Sequence, residues 1–263
     1  MITFADGTIS WVIQLMLMIT RVSSMFVLSP VLGRNSIPAR LKIGFSLLLA
    51  LMLINLFPPV APLAFQTLPA LLFAVAAELI IGFVIGFVTI LFFNIVFTAG
   101  HLIDMQLGFA MATMYDPATN SNMPISGSLL NIIMIQSFLV TGGLPRLVGV
   151  VANTFKVIPV GGAVFPATPL LGAVLDAFMV SFTLSVNVAM PVMASALLAE
   201  IGLGIIVRTA PQMNVFVIGI PIKVLLGLIM IFLMVPIFVY FTNPIFDVMY
   251  DTIDSVIKGM TPA

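Results

Sequence analysis

One histidine, nine carboxylates, nine basic side chains and no cysteine hold nearly all the ionisable chemistry of this 263-residue sequence. Without cysteine there are no thiolate nucleophiles, thiolate metal sites or disulfides. His101 alone builds no histidine cluster and reads as a loop or interface residue. The acids are scattered, so spacing assembles neither a nucleophile–base pair nor a metal-ligand set, and no catalytic, cofactor-binding or metal-binding residue is assigned. What remains is a small set of polar side chains embedded in apolar runs, among them Arg21, Glu78, Asp176, Asn187 and Arg208. In such surroundings an ionisable group faces protein or water, pairs with a partner, or lines an ion path.

Glu78 is the sharpest case. At about 100° per residue, Ala74, Glu78, Gly82, Gly86 and Thr89 fall within one arc of about 120°. The arc holds the only carboxylate of its run and a Gly-xxx-Gly pair that lets another helix approach closely. Glu78 is either a proton or cation site or a structural acid hydrogen-bonded to a neighbouring helix. The structural reading is preferred, because no second carboxylate in the apolar runs is an evident mate for it. Asp176, Thr183, Asn187 and Ala194 share a second, narrower arc, with Pro191 beside them as an expected bend. Arg208 is expected to pair with an acid or with backbone carbonyls near a broken helix.

The stretch Gly100–Pro124 does not suit a lipid environment. Asp104 and Gln106 interrupt its start, Gly100 and Gly108 loosen its backbone, and Asp116-Pro117 opens a turn-rich loop. Met105, Met111, Met114, Met123 and Phe109 stud the same stretch. Irregular backbone at membrane depth persists only where protein or water surrounds it. Two readings stand: a plain extramembrane loop, or a gate or cavity lining.

The elements that position these residues are very apolar. The sequence is 62% hydrophobic and 7% charged, against a globular norm of about 25% charged, so an all-α integral membrane protein is expected. With zero net charge and dispersed basic residues there is no nucleic-acid footprint. About six long apolar helices are expected, at Ile9–Ser29, Ile43–Phe57, Ala70–Ala99, Ile125–Gly143, Leu170–Ala199 and Lys223–Thr242. The third and fifth, each about 30 residues, are overlong for a hydrocarbon core of about 30 Å. Interrupted segments are expected at 100–124 and 200–222. Leu144–Ile158 reads as a short amphipathic helix that lies at an interface or packs on a partner. Pro244–Lys258 reads as a C-terminal amphipathic helix packed on protein. The first run lacks a preceding basic region and a following cleavage site, so it is expected to stay as a helix. Arg34, Arg40 and Lys42 favour a cytoplasmic loop, but Arg146, Lys156 and Lys258 fall on the wrong side, so basic residues do not settle the topology.

Three groups of residues, in order along the chain, carry a family resemblance. They are Ser29-Pro30-Val31-Leu32 with Ile37–Lys42; Thr98-Ala99-Gly100, Ile103, Gln106–Ala110, Asp116-Pro117 and Asn122-Met123-Pro124; and Glu200-Ile201-Gly202 with Arg208–Phe216 and Gly219–Lys223. On these the sequence resembles the FliR family, the export-gate subunits of flagellar type III secretion. Members often carry a histidine after the pair matching Gly142-Gly143, where this chain has Leu144.

The resemblance implies a non-enzymatic gate subunit without cofactor, present in one copy with FliP-like and FliQ-like subunits and touching other export-apparatus membrane proteins. It implies a place in the bacterial inner membrane, in the flagellar basal body, passing unfolded flagellar proteins. It further implies one domain over 1–263, with a FliP-like part at 1–160 and a FliQ-like hairpin and tail at 170–263. By the same resemblance Gln106, Phe109, Met111, Met114, Asp116, Pro117 and Met123 form a pore plug, and methionine suits a seal that must repack around a passing chain. Glu78, Gly82, Gly86, Asp176, Asn187 and Arg208 are expected as intramembrane packing or polar residues. Two other functions remain open: the equivalent gate subunit of a virulence type III system, and a secondary transporter with broken helices and a midplane acid such as Glu78.

Overall fold

A computed structural model gives an all-α chain and describes residues 7–34, 37–57, 67–109, 123–162, 167–209 and 215–260. Among the described residues seven helices follow in order: α1 (Gly7–Leu28), α2 (Ala39–Leu56), α3 (Leu68–Leu107), α4 (Ile125–Val140), α5 (Gly143–Val157), α6 (Ala167–Thr209) and α7 (Val215–Gly259). Five of them (α1, α2, α3, α6 and α7) are long and apolar enough to cross a membrane, or six spans result if α4 and α5 count as one broken span. The expected all-α membrane architecture with about six long apolar helices is therefore present.

The helices run further than the sequence suggested. Helix α3 continues through His101–Leu107 and stops at Gly108, whose φ of +84° is the left-handed conformation that ends helices at little cost to glycine. Residues 200–209 are helical too, as are 215–222, so most of the stretch expected as a second interruption is helix, and 210–214 lie outside the described residues. The C-terminal amphipathic segment is no separate helix but the last part of α7, which passes through Pro221, Pro236 and Pro244. Long apolar helices tolerate single prolines because neighbouring helices and local backbone adjustment satisfy the freed carbonyls. Helix α6 likewise passes through Pro191.

The chain divides into two compact, interleaved units. One comprises Met1–Phe92, Gly142–Ala177 and Asp247–Ala263; the other comprises Phe93–Thr141 and Phe178–Phe246. In the first unit, α1 packs on α2 through the stacked rings of Phe26 and Phe45, 5.5 Å apart. The last part of α7 buries Met249, Ile253, Val256 and Ile257 there, while Asp247 and Asp251 stay exposed. Arg146 of α5 ties this segment down: its guanidinium stacks 4.2 Å from the Tyr250 ring and reaches Asp247 Oδ1 at 2.5 Å. In the second unit, Phe93, Phe138 and Phe246 form an aromatic triangle with centroids 5.2–6.0 Å apart, locking α3, α4 and α7 together.

Candidate functional site

In the first unit the polar chemistry closes on itself. Arg21 of α1 is fully buried, and so is Glu78 of α3. The guanidinium meets the carboxylate with two parallel bonds, Nε to Oε2 at 2.5 Å and Nη2 to Oε1 at 3.1 Å. Nη1 donates to Thr154 Oγ1 at 3.2 Å and to the carbonyl of Ile158 at 3.0 Å, while the ring of Phe155 lies 4.3 Å from the guanidinium carbon. The amide of Gly161 donates to Glu78 Oε1 at 3.0 Å, from a turn in which Gly161 has φ +74°. One ion pair thereby fastens α1, α3, α5 and the turn after α5. Planar bidentate geometry with every charged face bonded is what lets such a pair stay buried.

The same face of α3 explains the glycines. A Cβ on Gly82 would stand 2.0 Å from Ser24 Oγ and 2.2 Å from the Arg21 carbonyl oxygen. One turn on, a Cβ on Gly86 would lie 2.9 Å from both Leu28 Cβ and the Met25 carbonyl oxygen. The backbones of α1 and α3 cross at this notch, which brings Arg21 within reach of Glu78.

In the second unit, four contacts gather around the C-terminal end of α3, where the central segment leaves and returns. Gly100 and Gly127 press backbone to backbone, since a Cβ on Gly100 would meet Gly127 Cα at 2.3 Å. Helix α4 begins after Pro124, which supplies no side-chain cap. Asp104 of α3 caps it instead: its carboxylate accepts from the amides of Ile125 at 2.6 Å and Ser126 at 3.3 Å, and from Ser126 Oγ at 2.5 Å. A carboxylate at a helix N-terminus satisfies orphan amides and meets the positive end of the dipole. Leu107 fills the space left by Gly227 of α7, where a Cβ would come within 2.4 Å of both its methyl carbons. Finally, Gln106 Nε2 donates to Glu200 of α6 at 3.4 Å, and Glu200 also binds Lys223 of α7.

The residues expected as a plug are only partly described. Gln106 and Phe109 are half-buried at the end of α3, and Met123 is exposed just before α4. Met111, Met114, Asp116 and Pro117 lie outside the described residues. Glu78, Gly82 and Gly86 meet at the α1 crossing. Asp176, Asn187 and Arg208 do not join them; all three are exposed on α6, and among the described residues no acid pairs with Arg208.

Sequence reasoning missed the partner of Glu78, although Arg21 was the lone cation of the first apolar run and of opposite sign. It also passed over Asp104. The signal was available: a helix opening on Pro124 cannot cap itself from that position, so an acceptor must come from elsewhere.

These observations define a class: a helical membrane protein whose charged and small residues fix helices against one another and anchor both ends of one long connecting segment. A family model for bacterial export proteins, family 1, matches residues 12–249, and the chain belongs to that family. The chain is similar to the flagellar biosynthetic protein FliR of Escherichia coli (strain K12), with 28% identity over 97% of each chain. It is also similar to the FliR protein of Aquifex aeolicus (strain VF5), with 30% identity over 86% of each. The Yop proteins translocation protein T of Yersinia pestis is 31% identical over 79% of this chain and 80% of its own length. The family resemblance carried by the three motif groups therefore holds across the whole chain.

Proposed function

We propose that this chain is a non-enzymatic gate subunit of the flagellar type III protein export apparatus. It acts as a single copy beside FliP-like and FliQ-like subunits in the inner membrane, at the flagellar basal body, and passes unfolded flagellar proteins. The observation that carries this reading is the end-to-end similarity to flagellar relatives, 97% of both chains for the E. coli protein. The geometry supports it. Glu78 is committed to Arg21 and Gly161, an arrangement suited to assembly and not to carrying an ion. The described residues on either side of 110–122 are fixed, Leu107 against Gly227 and the start of α4 by Asp104. In this reading that segment, with Gln106, Phe109 and Met123 at its borders, closes the pore when no substrate is present. The chain's parts follow the same analogy, with 1–160 FliP-like and 170–263 a FliQ-like hairpin and tail. The similarity to the Yersinia protein favours a second reading, the equivalent subunit of a virulence system.

Purification of the tagged chain from its native cells tests the proposal. Co-purification of FliP-like and FliQ-like subunits, with loss of motility on deleting the gene, is the expected result. Normal motility with no export subunit recovered overturns it, and secretion of virulence proteins instead of flagellar ones moves the chain to the second reading.

A further inference from the structure

The turn between α1 and α2 gathers cations at one end of an apolar helix. Arg34 and Arg40 are exposed, and among the described residues no acid pairs with either. Lys42 is committed to the fold, donating to the Gly33 carbonyl at 3.0 Å. The turn itself is closely built. The amide of Gly33 donates to the Ser29 carbonyl at 2.7 Å, the amide of Leu32 to Ser29 Oγ at 3.3 Å, and the amide of Ile37 to the Arg34 carbonyl at 3.1 Å. A Cβ on Gly33 would lie 2.4 Å from the Ser29 carbonyl oxygen and 2.7 Å from that of Val27, so only glycine fits there. The backbone at Arg34 is thereby held close to the first turn of α2, where Arg40 stands.

Helix α2 sets the depth of this turn in a bilayer. At about 100° per residue, Leu41, Leu48, Met52 and Leu56 share an arc of about 80°, and all four are exposed. Ser46, Ala50 and Leu53 are buried on the opposite side. At about 1.5 Å per residue the exposed stripe is roughly 22 Å long, and the whole helix roughly 27 Å. A hydrocarbon core of about 30 Å covers that stripe from end to end with the helix upright. Acyl chains alone can therefore cover it, and the α1–α2 turn then falls at the level of the headgroups.

Headgroup depth selects the ligand of the two arginines. A guanidinium is a planar fork that donates parallel bonds to two oxygens of one phosphate. Its aliphatic stem can lie along apolar surface while the charge reaches the headgroup layer. An anionic lipid surface attracts such a cation, and the attraction falls off within a Debye length, so it acts on arginines at the very end of the span. Arg34 and Arg40 meet both requirements: they stand at the end of a bilayer-length stripe, and neither is paired with an acid among the described residues.

We propose that the α1–α2 turn binds an anionic membrane phospholipid. Arg34 and Arg40 hold its phosphate, Lys42 keeps the backbone between them in place, and its acyl chains lie along the Leu41–Leu56 stripe of α2. The inference rests on the membrane class of the chain and not on the proposed function, so its failure leaves that function standing.

Native mass spectrometry tests this on the full-length tagged chain, purified with whatever subunits it retains, by titrating phosphatidylglycerol and phosphatidylcholine separately in detergent. Phosphatidylglycerol should bind about 25-fold more tightly, about fivefold for each arginine. Arg34→Gln and Arg40→Gln should each weaken it about fivefold and leave phosphatidylcholine unchanged, while Arg34→Lys and Arg40→Lys keep most of the preference. High salt should reduce the preference in the parent, and inorganic phosphate, which has no acyl chains, should not displace the lipid. Equal binding of the two lipids by the parent, or an undiminished preference in the double glutamine variant, overturns the site. Displacement by inorganic phosphate overturns the lipid as its ligand and makes it a site for free anions. Circular dichroism checks that the variants keep their helices. If the glutamine variants do not, the parent and the lysine variants decide: a preference that salt does not weaken, or that both lysine variants abolish, overturns the proposal.

Discussion

The guanidinium of Arg21 and the carboxylate of Glu78 meet fork to fork, at 2.5 Å and 3.1 Å, with neither side chain exposed to solvent. The two residues lie 57 positions apart in the sequence, on different helices, and the turn after α5 completes the bonding of both groups. A pair of this kind contributes little net stability relative to an apolar replacement, because desolvation offsets attraction. What it does is penalise every arrangement in which one member loses the other.

Removing one partner should therefore be severe. Glu78→Gln retains the shape of the side chain but leaves a buried, uncompensated guanidinium, at a cost of about 3–5 kcal/mol. Arg21→Met strands the carboxylate in the same way. The double variant Arg21→Met, Glu78→Met should recover much of the loss. Thermal unfolding of the purified chain in detergent, for the two single variants and the double, measures the coupling. Additive single effects, with the double variant worst of the three, would show that the two groups act independently.

Glycines in this chain divide into notches and bystanders. Gly82→Ala sets a Cβ against Ser24 Oγ, which can rotate aside, and against the Arg21 carbonyl oxygen, which cannot retreat without moving α1. The expected cost is about 1–3 kcal/mol from overpacking, with loss of the α1–α3 crossing that aligns the ion pair. Gly149→Ala in α5 meets nothing within 4 Å. There the gain in helix propensity, about 0.8–1 kcal/mol, should appear undiminished. Opposite shifts of melting temperature for the two variants are the expected outcome, and equal shifts would remove the notch as an explanation.

How much of this was legible from the sequence depends on range. The arc of Ala74, Glu78, Gly82, Gly86 and Thr89 was legible because helical periodicity is local, and all five are buried. The partner of that arc was not, since no pattern within α3 says that Arg21 lies across from it. The persistence of α6 through Thr209 and of α7 through three prolines was hidden for a different reason. Polar residues and proline are breakers in water, whereas an apolar environment raises the cost of leaving backbone groups unbonded and keeps the helix intact. Of the four boundaries between the two compact units, only the one at Thr141–Gly142 coincides with a break visible in the sequence; the other three fall inside continuous helices at Phe92, Ala177 and Phe246, where composition does not change. At the central segment, the turn residues and methionines were visible, but the anchoring role of Asp104 depends on a contact with Ser126, 22 residues away.

Asp104 supports a prediction that separates a helix cap from a general surface charge. Asp104→Ala removes three acceptor contacts from the first turn of α4, and Pro124 has no side-chain oxygen to replace them. The expected destabilisation is about 1–2 kcal/mol, with Asp104→Asn milder because an amide oxygen still accepts. Hydrogen exchange should show faster exchange at the amides of Ile125 and Ser126 and no change in the middle of α4. Uniform acceleration along the whole helix would mean that Asp104 supports packing and not the cap.

The same anchor bears on the proposed seal. Asp104 joins the two ends of the central segment, and Leu107, seated against Gly227, fixes where its first end leaves α3. Shortening the chain between Gly108 and Asn122 keeps both anchors, so the gate should still assemble. If the segment closes the pore, its loss lets water enter, because an apolar constriction blocks ions by excluding water and ions follow once it is widened. Cells expressing the shortened chain should then show raised conductance or small-solute uptake at equal gate content. Asp104→Ala, which loosens the base without removing the segment, should give a smaller leak. An assembled, shortened gate as tight as the parent would place the seal elsewhere.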